Sequence, residues 1–169
     1  MFLASFTRPD ILFVVHQCVK FNSCPRRSQK QAVKQIGRYL KRTHDKGTIL
    51  KHDGTNALNF YADADCAGTF THETAHDKGS VLSRTGYVIT YASCPILYVC
   101  KMQTEFAFST TEAEYIALRQ SMQDLILIRS VLKELSNNLG LKINVPITHS
   151  TFFKDNNGVF KLTREVKYR

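Results

Sequence analysis

Residues 109–140 constrain this chain more than any other stretch, because a helix start, a helix face and a helix stop are all written there. Ser109 followed by Glu112 is a capping box, in which each side chain satisfies a backbone N–H that the first turn leaves without a partner. From there Leu118, Met122, Leu125, Leu132 and Leu135, with Ala117 and Ile128 beside them, recur at three- and four-residue spacings and mark one apolar face. Asn137-Asn138-Leu139-Gly140 supplies the stop. Glu114 precedes Leu118 by four positions and Leu125 by eleven, so it lies on or beside the apolar face. Glu112 shares a side with Arg119 and Gln123, and capping accounts for it. A single acid at the edge of an apolar face is ordinarily a boundary residue, because carboxylates are rarely buried without a partner.

The neighbouring segments change the weight of that acid. Strand-like runs precede the helix at 57–63, 86–92 and 96–101, and another follows it at 147–154. A short run at 48–52, joined through Asp53-Gly54-Thr55-Asn56, is expected to pair with 57–63 as a hairpin. Residues 69–84 read as a polar loop, and a further helix is expected after Asp155. The order is that of an α/β domain, in which ligand crevices form at strand ends. Asp63 ends the first strand, with Asp65 two residues on, Glu114 sits in the first turns of the helix, and Asp155 ends the fourth strand. If the first and fourth strands are neighbours, the three carboxylates converge. Two such charges at 4 Å repel by about 1 kcal/mol in water and by about 4 kcal/mol at an effective dielectric near 20. A cluster of this kind calls for a cation, and oxygen-only donors suit Mg²⁺ or Mn²⁺. Two ions can activate a water and stabilise the leaving oxygen of a phosphodiester.

The first third has a different character. Arg8-Pro9-Asp10 opens a helical segment at 11–21 with proline in its first turn, and Asn22-Ser23-Cys24-Pro25 ends it. A second helix is expected from about Ser28 to Arg42, with Ala32, Val33, Ile36, Tyr39 and Leu40 facing inward. Lys30, Lys34, Arg38 and Arg42 follow one another every four residues as a positive ridge. The formal net charge of +9 is concentrated here: residues 1–56 hold 11 Lys and Arg against 3 Asp and Glu, whereas residues 57–169 hold 12 against 11. A polyanion such as nucleic acid would be met on that ridge, although a solvated outer face has the same pattern.

Other classes are disfavoured. No apolar run approaches the length needed to span a bilayer, and Met1-Phe2-Leu3-Ala4-Ser5-Phe6 lacks the regions of a signal peptide. Five irregularly spaced cysteines point to a reducing compartment and not to a disulfide framework. His72 and His76 have the spacing of a zinc pair, but Cys66, Cys94 and Cys100 supply no second close pair.

Six motifs then fall in one order: Thr7-Arg8-Pro9-Asp10-Ile11, Arg38-Tyr39-Leu40-Lys41-Arg42-Thr43, Tyr61-Ala62-Asp63-Ala64-Asp65-Cys66-Ala67-Gly68, Thr85-Gly86-Tyr87-Val88, Ser109-Thr110-Thr111-Glu112-Ala113-Glu114-Tyr115-Ile116-Ala117 and Asp155-Asn156-Asn157-Gly158. Together they resemble the Pol polyprotein of copia-type LTR retrotransposons over nearly the whole chain. The resemblance implies that residues 1–50 are a helical tail of the reverse transcriptase, thumb- or connection-like. It implies that residues 51–169 are an RNase H-like α/β domain: three antiparallel strands, a long helix, a parallel fourth strand and a further helix. Such a domain cleaves the RNA strand of RNA:DNA hybrids. Asp63, Glu114 and Asp155 would be its catalytic metal ligands, with Asp65 the alternative to Asp63, and two Mg²⁺ or Mn²⁺ ions its cofactors.

The implied partners are the hybrid and the remainder of the polyprotein, with its polymerase and integrase regions. The implied location is a cytoplasmic virus-like particle or the nucleus. Cys66 stands where the family usually has tryptophan. The family's last strand and last helix, with a fourth carboxylate, are expected beyond Arg169, and the polymerase's double-aspartate motif upstream of Met1. Two functions follow as expectations: a metal-dependent ribonuclease, or a catalytically inactive fragment that keeps the fold and binds nucleic acid.

Overall fold

The computed structural model describes residues 2–68, 70, 72, 76, 78–140 and 150–153. The chain divides into two units, Met1–Leu50 and Lys51–Arg169.

The first unit is helical. A short helix α1 (Phe2–Phe6), for which the sequence holds no cap signal, precedes a 3-10 turn at Pro9–Ile11, then α2 (Leu12–Val19) and α3 (Arg27–Arg42). Arg8 fastens the turn to the end of α3. The residue is 7 % exposed; Nη1 donates to the Thr43 carbonyl at 2.9 Å and Nη2 to Thr43 Oγ1 at 2.7 Å. The same fork reaches Asp10 at 3.0 and 2.8 Å, and the Tyr39 hydroxyl donates to Asp10 at 2.7 Å. The Arg8 hydrogen bond, aided by Tyr39 and opposed by partial burial, pulls the Asp10 carboxyl down to about 2.

The expected inward row of α3 is realised only in part. Ala32, Ile36 and Leu40 are half-buried, whereas Val33 is 55 % exposed and Tyr39 is exposed as well. The helix packs on α2, and a single partner helix covers a narrower stripe than the apolar residues of α3 occupy.

Among the described residues, the second unit is one sheet packed against one long helix. Its strands are β1 (Leu58–Asp65), β2 (Arg84–Tyr91), β3 (Cys94–Met102) and β4 (Ser150–Phe153), in the spatial order β3-β2-β1-β4. The first three pair antiparallel, and β4 lies parallel to β1 with Tyr61 opposite Phe153. Stacked rings on both faces hold that parallel register: Phe60 with Phe152, centroids 4.6 Å apart, and Tyr61 with Phe153 at 4.7 Å.

The expected hairpin of 48–52 with 57–63 does not form, since residues 48–52 hold no strand. The backbone at Asp53 turns instead toward the β2–β3 connection, where its N–H donates to the Ala92 carbonyl at 3.3 Å and Ala92 N–H donates to Ala57 at 3.0 Å. That connection is a two-residue turn of Ala92 and Ser93 at φ of 52° and 64°, so β3 begins at Cys94, earlier than the sequence predicts. Two non-glycine residues in left-handed geometry are strained. Asp53 braces them, accepting from the Ser93 hydroxyl and from Thr55 N–H and Oγ1. These bonds, Ser93 first, pull the Asp53 carboxyl down to about 2.

Helix α4 (Thr110–Leu139) runs across β1 and β2. Leu118 and Leu125 close the core on Leu58, Phe60, Ala62, Tyr87 and Ile89, with Ile128 and Leu132 packed at its margin. The Tyr87 hydroxyl donates to Asp124, which ties helix to sheet; burial first and Asp124 second push that phenol up. Met122 and Leu135, expected on the apolar face, are exposed. Met122 lies further round the helix than Leu118 and Leu125. Leu135 is not among the residues packed against the core, and a helix of 30 residues, about 45 Å long, outreaches an eight-residue strand of about 26 Å. The helix ends as expected, on Gly140 in the left-handed conformation.

Candidate functional site

Strand directions decide which acids share an end of the sheet. Asp65 at the end of β1 is level with Arg84 at the start of β2, and Arg84 with Met102 at the end of β3. The chain therefore leaves β3 at the end where β1 delivers Asp63 and Asp65, and α4 starts from there. Gln103, the residue after β3, sets where it starts. Its Nε2 donates to Thr85 Oγ1 at 3.1 Å and to the Ala113 carbonyl at 2.7 Å, and all three residues are buried. Ala113 and Ala117 present no side chain larger than a methyl, which lets the helix lie close to the sheet. Ser109 Oγ accepts from Glu112 N–H at 3.1 Å. The Glu112 carboxylate reaches back to Phe108 N–H at 2.7 Å, one residue further than a capping box requires. Glu112 is thus accounted for at the cap, whereas Glu114 is turned inward and is 8 % exposed.

The β1 acids are placed differently. Leu58, Phe60 and Ala62 are buried toward α4, so alternation sends Tyr61, Asp63 and Asp65 to the other face, where all three are exposed. Asp63 Oδ1 accepts from Ala64 N–H at 2.8 Å. Asp65 lies beneath the following bend, its carboxylate in the space that a Cβ at Gly68 would need, so a side chain there would displace the Asp65 carboxylate. Arg84 is opposite Asp65 in register and 6 % exposed, and its Nη1 lies 3.7 Å from Cys100 Sγ. Glu114 and Asp63 therefore share one end of the sheet and lie on opposite sides of β1. Asp155 lies outside the described residues, and so does the helix expected after it. Among the described residues no three His, Cys, Asp or Glu side chains form a group able to hold a metal ion, which leaves the zinc set without support there.

Gln103 and Arg84 went unnoticed in the sequence. A polar residue between a strand and a capping box is the signal that could have found Gln103. For Arg84 the only signal was its adjacency to the Thr85-Gly86-Tyr87-Val88 motif.

The basic ridge forms as expected. Lys30, Lys34, Arg38 and Arg42 are all exposed on α3, and twelve residues of helix separate the ends by about 18 Å. The helix contains no acidic residue. Its three like-charged pairs at four-residue spacing cost about 0.2–0.5 kcal/mol each, so the ridge opposes folding unless anions gather on it.

Comparison with known proteins places the chain. It is 36 % identical over 142 residues, 84 % of its length, to the retrovirus-related Pol polyprotein from transposon RE1 of Arabidopsis thaliana. It is 37 % identical over 136 residues, 80 % of its length, to that from transposon TNT 1-94 of Nicotiana tabacum. The chain spans 9 % and 10 % of those two polyproteins. It is also similar, at 34 % identity over 126 residues, to secreted RxLR effector protein 161 of Plasmopara viticola, covering 75 % of this chain and 83 % of that protein. No family model and no solved structure matches it. The chain belongs to the Pol polyproteins of copia-type retrotransposons.

Proposed function

We propose that this region of Pol is an RNase H-type domain, with residues 1–50 a tail of the reverse transcriptase, and that it hydrolyses the RNA strand of an RNA:DNA hybrid. The observation that carries the reading is the buried Glu114 carboxylate in the first turns of α4, at the sheet end where β1 delivers Asp63. A carboxylate buried at a sheet end, where ligand crevices form, is a candidate for metal or proton chemistry. Asp63 and Glu114 would be two of the metal ligands, Asp65 the alternative to Asp63, and Asp155 the third. The donors are all carboxylate oxygens, which fits Mg²⁺ or Mn²⁺. Two bound ions would supply an activated water and stabilise the leaving oxygen. The protein's own part is positional: Gln103 fixes the start of α4, so that Glu114 is held by the scaffold and not by a loop.

A second reading rests on a different observation, the projection of Asp63 and Asp65 away from α4. On that reading the chain binds a hybrid through Lys30, Lys34, Arg38 and Arg42 without cutting it. One experiment separates the two. A hybrid labelled on its RNA strand is incubated with the chain in Mg²⁺, and binding and cleavage are both followed. The nuclease reading predicts cleavage that falls at least 100-fold in Glu114→Gln with binding retained. Cleavage unchanged in that variant contradicts it, and salt-sensitive binding with no cleavage establishes the second reading.

A further inference from the structure

We propose that the cleft between α2 and the start of α3 holds one unpaired nucleotide of a nucleic-acid strand, its phosphate among the cations at the mouth and its base on the apolar floor. The proposal rests on the reading of α3 as a nucleic-acid surface and goes beyond it, because a row of cations tracks any phosphate backbone whereas a cleft selects what enters.

The cleft has a volume of about 460 Å³. Arg26, Arg27, Lys30 and Lys34 line it, and no carboxylate does. Among the described residues none of these four has an ion-pair partner, so the charge at the mouth is not neutralised from within. The α3 N-terminus adds to the imbalance: an arginine at its cap, another at its first position and no acid in its first turn, where the helix dipole favours negative charge. Charge complementarity therefore identifies an anion.

The floor narrows the choice further. Phe21, Pro25 and Val33 form its apolar lining, and Lys20 Nζ sits over one face of the Phe21 ring, 5.5 Å from its centroid, which leaves the other face for a base. Inorganic phosphate has no use for an apolar floor. A nucleotide does, because its base stacks on an aromatic ring while its phosphate meets Arg and Lys. A base still paired in a duplex cannot turn its face to Phe21, so the cleft suits a single-stranded stretch or a frayed end and not the body of a hybrid.

The test uses the full chain and two fluorescein-labelled probes of 12 nucleotides, a single-stranded DNA of mixed sequence and a blunt RNA:DNA hybrid, with binding read by anisotropy at low salt. Phe21→Leu keeps apolar bulk and removes the ring; it is expected to weaken single-strand binding about 10-fold and to leave hybrid binding unchanged. Phe21→Tyr, which keeps a ring, is expected to bind both probes as the parent chain does. Val33→Ser, at an exposed position that folding does not depend on, is expected to weaken the single strand selectively as well. Hybrid binding retained with no selective effect of Phe21→Leu or Val33→Ser overturns this proposal alone. Failure of both probes to bind overturns the α3 reading with it. Displacement of the single strand by poly-glutamate as effectively as by unlabelled DNA shows that charge alone is read, and also overturns it.

Discussion

The two units are built on opposite terms. In the sheet unit, Ile89 and Leu58 are almost wholly excluded from water, Tyr87 is hydrogen-bonded to Asp124, and charges of both signs are present. In the helical unit, α3 buries no residue completely, its charges are all of one sign, and a charged residue, Arg8, is buried as Ile11 and Leu12 are. The helical unit adds the hydrogen bonds and ion pair of Arg8 to a small apolar core, whereas apolar burial dominates the sheet unit. Stability in the sheet unit should depend on volume, and in the helical unit on pH and salt.

The largest expected effect is therefore in the core. Ile89→Ala removes a side chain with 0 % exposure and should cost about 2–5 kcal/mol in chemical denaturation, whereas Val33→Ala on the exposed side of α3 should stay within about 0.5 kcal/mol. A similar loss at both positions would break the comparison. Next comes Gln103→Leu, which strips Thr85 and the Ala113 carbonyl of their buried partner and should cost about 1–3 kcal/mol. Amide exchange in the first turns of α4 should rise more than exchange at its middle; uniform exchange along the helix would mean that Gln103 does not set its start.

The ridge comes third. Lys34→Ala with Arg38→Ala should weaken hybrid binding uniformly across sequences and reduce the slope of log K against log salt by about 2. An unchanged slope would remove the ridge from the interface. The smallest effect is acid sensitivity. Asp10 sits below its ordinary value because of Arg8, so its contribution is present above pH 3.8 and is lost as pH falls toward about 2. Far-UV circular dichroism should register that loss in the helical unit, and Arg8→Met should flatten it. An acid profile identical in parent and variant would show that the Arg8–Asp10 pair does not stabilise the helices.

Much of this organisation was legible in the sequence, for local reasons. The Ser109 cap, the stop at Gly140 and the spacing of Leu118 and Leu125 are signals that the backbone answers within one or two turns, and each is met, the Glu112 half of the capping box alone going to Phe108 N–H. The direction of Glu114 followed from the same periodicity. What could not be read depends on contacts remote in sequence. The strand expected at 48–52 had the right residue types, but Asp53 is drawn to the turn at Ala92 and Ser93, about forty residues away. Val33 and Tyr39 have the character of buried residues; their exposure follows from how little of α3 its partner helix covers. Gln103 carries no motif, and its importance appears only once β3, β2 and α4 meet.

The central claim is that Glu114 is a metal ligand and Glu112 a helix cap, two identical side chains separated by their faces. Mn²⁺ titration followed by electron paramagnetic resonance tests it directly, on the parent chain, Glu114→Gln and Glu112→Gln. The expected result is that Glu112→Gln binds Mn²⁺ as the parent does, while Glu114→Gln weakens binding at least 10-fold with the helix content of both variants unchanged. Equal Mn²⁺ affinity in all three proteins would contradict it.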